Sequence, residues 1–432
     1  MTVKHEPGRI VTFYSYKGGT GRSMAVANVA WILASNGKRV LTIDWDLEAP
    51  GLHRYFHPFL EDKDLTSSPG VIEFMWDLST ESRLAHERSF GTKGESWFTE
   101  NVSLLRYARS LDWDFPGEGT IDFVPAGQQD HAYAERVTTF DWRGFYQDLG
   151  GGVVFEALKR KLREDYDYVL IDSRTGISDS AGICTVQLPD DLVVMFTLNR
   201  QSILGASAAA TSAFEQRRKP TGEPGLRVWP VPTRVDLAEK ERLDAAEALW
   251  RSAFQRFLMR LDKKTRESYA GSIRVFYQPY FAYEEVLATF AERKHQTASL
   301  LMSMETLVGH VTEGDVQGLF EIPDGLRKEG LKRFSSVLSS QSSPRVFVLA
   351  GASDEPLFHD VEDAIRGAGG VTSMSVDPWG PSTEAELARS DALILLIDPS
   401  WEQRPSPVME QVVEIAVNRG IDVIPILVGG LG

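Results

Sequence analysis

Cysteine is almost absent from this 432-residue chain, with Cys184 as its single representative. One thiol excludes an internal disulfide framework and fits a reducing compartment, so a cytoplasmic location is expected. Long apolar runs are missing too. No stretch of 18 or more apolar residues occurs, so no membrane-spanning helix is expected. The N-terminus MTVKHEPGRIVTFY lacks an apolar core of signal-peptide length. Positive charge is in deficit, with 46 Lys and Arg against 61 Asp and Glu and a net charge of −15. That balance argues against an extended nucleic-acid surface. No internal repeat is present. What remains is globular in composition, 42% hydrophobic and 25% charged, and long enough for two or three domains.

The clearest boundary is the stretch from Ser335 to Pro344, which holds six serines, one glutamine and one proline and suits a linker. A large domain is expected over residues 1–334 and a small one over 345–432. In the large domain, short apolar runs at Ile10–Tyr14, Val40–Ile43, Ile121–Val124, Tyr168–Ile171, Leu192–Thr197, Val228–Val231 and Ile273–Tyr277 read as strands. Helical patterns such as Phe155–Glu164 and Leu243–Leu261 separate several of them. The alternation predicts an α/β fold, a mostly parallel sheet flanked by helices. Residues of about 60–119 are less regular and read as an insertion at the sheet edge. The small domain repeats the pattern, with strands at Val346–Ala350, Val371–Val376, Ala392–Ile397 and Ile421–Val428. Helices are expected at Asp354–Ala368, Glu384–Arg389 and Val408–Asn418. The chain stops just after its last strand, which reads as a piece of a longer protein.

The segment YSYKGGTGRSMAVANVAW, Tyr14–Trp31, reads as a strand, a glycine loop and a helix. A strict phosphate loop carries Gly where this chain has Tyr16, and Lys where it has Arg22. The physical requirements still stand. Gly18, Gly19 and Gly21 let the backbone approach an anion and aim N–H groups at it. The helix Ser23–Asn36, ended by Gly37, turns its positive end to the same point. The Ser23 hydroxyl suits Mg²⁺ held with phosphates. Asp44 and Asp46 close one strand and Asp172 closes another, at the carboxyl ends where open α/β sheets bind ligands. Such acids hold Mg²⁺ or orient a water, although Asp44 reads equally as a cap on the next turn. Trp45, between the two acids, points to the opposite side of the strand.

Several of these pieces, in this order and at these spacings, resemble the ParA/MinD family of deviant-Walker P-loop ATPases (the SIMIBI class). They are KGGTGRS (17–23), IDWDLEAPGL (43–52), IDFVPAG (121–127), YDYVLIDSRTGISD (166–179), VPTRVD (231–236) and YQPYFAYEEVLATF (277–290). The loop itself is similar to a bacterial subgroup of KGGVGR-motif variant ATPases, whose members are joined to other domains in signalling or conflict-type proteins. The resemblance implies ATP and Mg²⁺ as ligands and a nucleotide-dependent homodimer. Lys17 would be the signature lysine, reaching the partner's phosphates. Thr20, Met24 and the rest of 17–24 would contact nucleotide, and Ser23 would ligand Mg²⁺. Asp46, with Asp44 beside it, would place the hydrolytic water. Asp172 would be the Walker B acid near the metal. Arg234 and Pro279 fall where the family recognises adenine, with Thr233 and Arg234 in place of the usual Asn. Arg22 is the departure. A guanidinium can grip phosphate oxygens bidentately, yet its geometry differs from an ammonium, so slow hydrolysis is expected. A hydrolysis-dead nucleotide sensor is the alternative.

Residues 345–432 resemble a bacterial TIR domain of the flavodoxin-like type, through RVFVLAG, ARSDALILLIDPSW and SPVMEQVVEIAVNRGIDVIPILV. That resemblance implies a protein partner bound through this domain, or NAD cleavage by one glutamate. Glu410 and Glu414 lie on the relevant helix, but the simple register puts the glutamate position on Val412. An interaction role is therefore expected over catalysis. His53 and His57 stand four apart without a third ligand and read as packing histidines. Cys184, among small and apolar residues, reads as an inert core thiol.

Overall fold

The computed structural model describes residues 7–88, 103–148, 151–176, 182–217, 225–236 and 240–342, and beyond them the elements named below for the second unit together with Glu384, Leu387, Ala388, Ser390, Arg419 and Ile421. Two compact units divide at Lys332 and Arg333. In the first, seven strands form one sheet in the order β3-β4-β2-β5-β1-β6-β7. They are β1 (Arg9–Ser15), β2 (Arg39–Trp45), β3 (Arg109–Ser110), β4 (Thr120–Val124), β5 (Tyr168–Thr175), β6 (Asp191–Thr197) and β7 (Arg227–Thr233). All neighbours pair parallel except the short edge strand β3. The central strands are buried almost throughout, which is why they read as continuous apolar runs.

Register does more than order the strands. Asp44 on β2 lies directly beside Asp172 on β5, and β5 pairs in turn with β1, the strand that feeds the glycine loop. Side-chain alternation then sorts the faces. Ile43, Trp45 and Ile171 join one core with the helices Val71–Arg88 and Gly151–Asp165, while Asp46 turns the other way, toward helix α1 (Arg22–Ser35). Trp45 packs on Phe155 at 6.0 Å between ring centroids, on the side opposite the acids.

α1 is buried almost entirely, and Trp31 is its anchor. The indole meets Phe59, Phe115, Phe290 and Trp113 at 4.8, 4.9, 5.0 and 5.6 Å. Trp113 and Phe115 come from the stretch read as an insertion, whose helix Val71–Arg88 also packs into the core. On the outer side of the sheet edge, Ile273–Tyr277 is not the sheet strand that its sequence predicts. Only one parallel bridge, Val235 to Phe276, is made there. The reason lies in β7. Its odd-numbered residues face β6, and on the edge-facing positions sit Pro230 and Pro232, which have no N–H for a ladder.

The serine-rich stretch read as a linker is helical up to Ser342, as the end of the helix Asp324–Ser342. Serine costs a helix only a few tenths of a kcal/mol relative to good formers. Leu331, Phe334 and Leu338 keep helical spacing through the stretch. The second unit carries four parallel strands in the order β11-β10-β8-β9, namely β8 (Arg345–Leu349), β9 (Val371–Ser375), β10 (Ala392–Ile397) and β11 (Asp422–Leu427). Helices Glu355–Gly367 and Pro407–Asn418 accompany them. Of the short helix expected over 384–389, only Glu384, Leu387 and Ala388 lie among the described residues. No helix among the described residues is long and apolar enough to cross a membrane.

Candidate functional site

The glycine loop leaves β1 and enters α1 with two left-handed residues, Gly19 at φ +72° and Gly21 at φ +82°. A side chain is strained in that conformation, so the glycines are what let the loop fold back on the helix end. Gly21 caps α1 without any side-chain bond, and no acid occupies its first turn. The first N–H groups and the positive end of the helix dipole are therefore left for an anion. Lys17 sits half-exposed, its ammonium bonded to Gln201 at the start of the helix Arg200–Gln216. Tyr16 stacks against Gly205 of the same helix, where any Cβ would come within 2.4 Å of the ring.

Beneath the loop lies a buried ionic cluster. Arg22 is only 6% exposed, and its guanidinium forks three ways. Nε donates to Asp172, one terminal nitrogen donates to Asp46 Oδ2 at 2.6 Å, and the other donates to Ser15 Oγ at 3.2 Å. Burial pulls the guanidinium pKa down, but Asp172 and Asp46 outweigh it and the net direction is up. Asp172 is fully buried, and its Oδ2 accepts no hydrogen bond. Asp44 is also fully buried and acts as a cap. It accepts from the backbone N–H groups of Asp46, Gly51 and Leu52 at 3.1–3.2 Å and so ties down the turn before Leu52–Phe56. Burial and the nearby Asp172 push its pKa well up. Above this cluster Arg174 bonds Glu48 at 2.7 Å, a second link between the segments that carry Asp46 and Asp172. Ser23, in the first turn of α1, lies beside Gly51.

A cleft of about 240 Å³ opens on the far side of the loop. Gly19, Thr20, Gly21 and Met24 form one wall, and Arg234, Tyr277, Gln278 and Phe281 another. Val275 and Phe276 also line it, as do Tyr55 and Leu300, which no sequence motif marks. Arg234 adopts φ +53°, an uncommon conformation outside glycine. Its guanidinium lies 4.8 Å from the Tyr277 ring centroid and donates to the Gly19 carbonyl at 3.3 Å. Pro279 is exposed and starts the short helix that carries Phe281 to the cleft, without lining the cleft itself. The sequence hints of this wall are VPTRVD, which carries Arg234, and YQPYF, which carries Tyr277, Gln278 and Phe281. Lys17, Gly18, Arg22 and Ser23 belong to the loop and the start of α1 and do not line the cleft.

Other predicted groups fall elsewhere. Glu410 and Glu414 are exposed on the helix Pro407–Asn418, whose inner face is Val412 and Ala416. Cys184 is fully buried, and burial pushes its thiol pKa well up. His53 and His57 join no cluster of three or more metal-binding side chains among the described residues. Burial, then Arg54 and His57, lowers the His53 pKa to about 4. The unfolded imidazole takes its proton near pH 6.5, the folded one near 4, so stability is lost as pH falls through that window. His53→Gln should flatten the loss. Urea midpoints at pH 7 and pH 4.5 test this, and an unchanged difference between them would rule out His53 as its source.

A parallel sheet, a glycine loop on a helix end and acids on adjacent strand ends define a P-loop nucleotide-binding protein of the α/β class. Residues 11–337 match the CbiA family, the CobQ/CobB/MinD/ParA nucleotide binding domain, and the chain belongs to that family. It is similar to the septum site-determining protein MinD of Helicobacter pylori, 28% identical over 168 residues, or 39% of this chain and 45% of that protein. It is also similar to the cytosolic Fe–S cluster assembly factor CFD1 of Yarrowia lipolytica, 30% identical over 131 residues, or 28% of this chain and 43% of the relative. The chain thus spans under half the length of these curated relatives. Among solved structures, MinD of Pyrococcus horikoshii complexed with Mg-ADP aligns at a TM-score of 0.45 and 15% identity, covering 72% of this chain and 100% of that one.

Proposed function

We propose that the chain is a Mg²⁺-dependent ATP switch that hydrolyses slowly and dimerises around its nucleotide. The observation that carries this reading is the convergence on one glycine loop of the bare N-terminus of α1, the acids Asp46 and Asp172 bonded to Arg22 beneath it, and a cleft lined by Gly19–Gly21 on its other side. Phosphates would lie on the loop amides, and the base in the cleft against Arg234 and Tyr277. The residues present suit a metal: Asp172 Oδ2 is buried without a partner, and Ser23, in the first turn of α1, offers a hydroxyl. Mg²⁺ bound with nucleotide would neutralise phosphate charge. Asp46 would orient the attacking water. Lys17, now held by Gln201 on the surface, would act across the dimer. Asp44 has its oxygens occupied by backbone N–H groups, so we assign it to holding the loop that carries Asp46.

A second reading, a sensor that binds but does not hydrolyse, draws support from Arg22, whose fork already occupies Asp46 and Asp172. Labelled-phosphate release separates the two. The switch reading expects release from the wild type that falls at least about a hundredfold in Asp46→Ala. Wild-type release no higher than the variant's leaves the sensor. For the second unit we propose a TIR-like interaction module in a larger bacterial signalling or defence protein. Exposed Glu410 and Glu414 on a helix whose core residue is Val412 support a binding face over NAD cleavage.

A further inference from the structure

Arg22 raises a question that its place in the phosphate loop does not answer. Its three nitrogens are spent on Asp172, Asp46 and Ser15, all below the loop, and none points into the cleft. The guanidinium sits where the two acids converge, nearly sealed from solvent. Three carboxylates, Asp44, Asp46 and Asp172, meet there, and Arg22 is the only cation bonded to any of them among the described residues. Anions that close and that dry cannot all remain charged without a positive partner.

We propose that Arg22 is the resident cation of the metal site, holding Asp46 and Asp172 in the nucleotide-free protein and excluding a divalent ion until nucleotide arrives. The inference rests on the nucleotide-binding reading of the same loop. A divalent cation and the guanidinium compete for the same carboxylate oxygens, and each repels the other at such range. Lysine in this place reaches as a single point charge, whereas the planar fork of arginine spans both acids at once. Phosphates on the loop offer Arg22 other oxygens from the first turn of α1, where it begins. Metal and nucleotide therefore bind with positive coupling, and by linkage each strengthens the other. The Arg174–Glu48 bond at the surface holds the same two segments together and keeps the acids in place when Arg22 leaves them.

The test is Mn²⁺ binding to the full chain without nucleotide, followed by the spin-resonance signal of the free ion. The wild type should show no tight site, and neither should Arg22→Lys, which keeps a cation. Arg22→Gln should bind one Mn²⁺ at least about tenfold more tightly than the wild type, the effect of one opposite charge at hydrogen-bond range. Equal affinity in wild type and Arg22→Gln would overturn the proposal. A variant that folds only when Mn²⁺ is present supports it, and one that stays unfolded at millimolar Mn²⁺ counts against it. ATP binding in Mg²⁺, measured separately, keeps the two readings apart. A wild type that binds ATP but takes Mn²⁺ as readily as the variant loses only the Arg22 inference, whereas failure to bind ATP removes the nucleotide reading itself.

Discussion

Arg22→Gln is expected to destabilise the metal-free, nucleotide-free protein by about 3–5 kcal/mol, the usual consequence of stripping a partner from a buried charge. Against a total of about 5–15 kcal/mol for a typical domain, that is a large share. The expectation follows from geometry. Arg22 is buried, it bonds two acids at once, and Asp172 has no other described donor. An amide at position 22 reaches at most one acid and brings no charge. Acid should narrow the gap, because burial raises the Asp46 pKa and protonating that carboxyl removes uncompensated charge. The measurement is urea unfolding of both proteins in chelator, followed by tryptophan fluorescence. Eight of the ten tryptophans lie in the first unit, so the signal reports mainly on that unit. A difference under about 1 kcal/mol, the range of an exposed ion pair, would mean the cluster is not a buried one.

The second large effect is expected at Trp31. Trp31→Ala should cost about 3–5 kcal/mol, as for other large aromatic truncations in a core. The indole is fully buried and touches rings contributed by three separate stretches of chain. Its N–H has no partner, so Trp31→Phe removes an unsatisfied donor along with some volume and should cost far less. Function should suffer with stability, since α1 carries the loop and Arg22 on the same rigid element. Urea midpoints of the two variants provide the check. Equal losses for Ala and Phe would show that volume and ring contacts are not what Trp31 supplies.

Much of the fold and site is legible in the sequence, for physical reasons. Strands buried on both faces announce themselves as apolar runs, and glycines at 18, 19 and 21 followed by a helical pattern announce an anion cradle. Other features depend on register and distance. Nothing in the local sequence places Asp44 beside Asp172, because only strand pairing does so. The acidic partners of Arg22 lie 24 and 150 residues away. Ile273–Tyr277 has strand composition, yet the prolines of its neighbour decide against a ladder. The helical serine stretch shows the reverse, a polar composition overridden by apolar spacing. Tyr55 and Leu300 reached the cleft through tertiary packing, with no motif to mark them.

The central claim is that this chain binds nucleotide on the loop 17–24. Calorimetric titration of the purified chain with ATP in Mg²⁺ tests it most directly. The account predicts saturable binding of one ATP per chain, much weakened when Gly21→Val forces a branched side chain into the left-handed position. No saturable heat at millimolar ATP, or equal binding by the Gly21→Val variant, would contradict it.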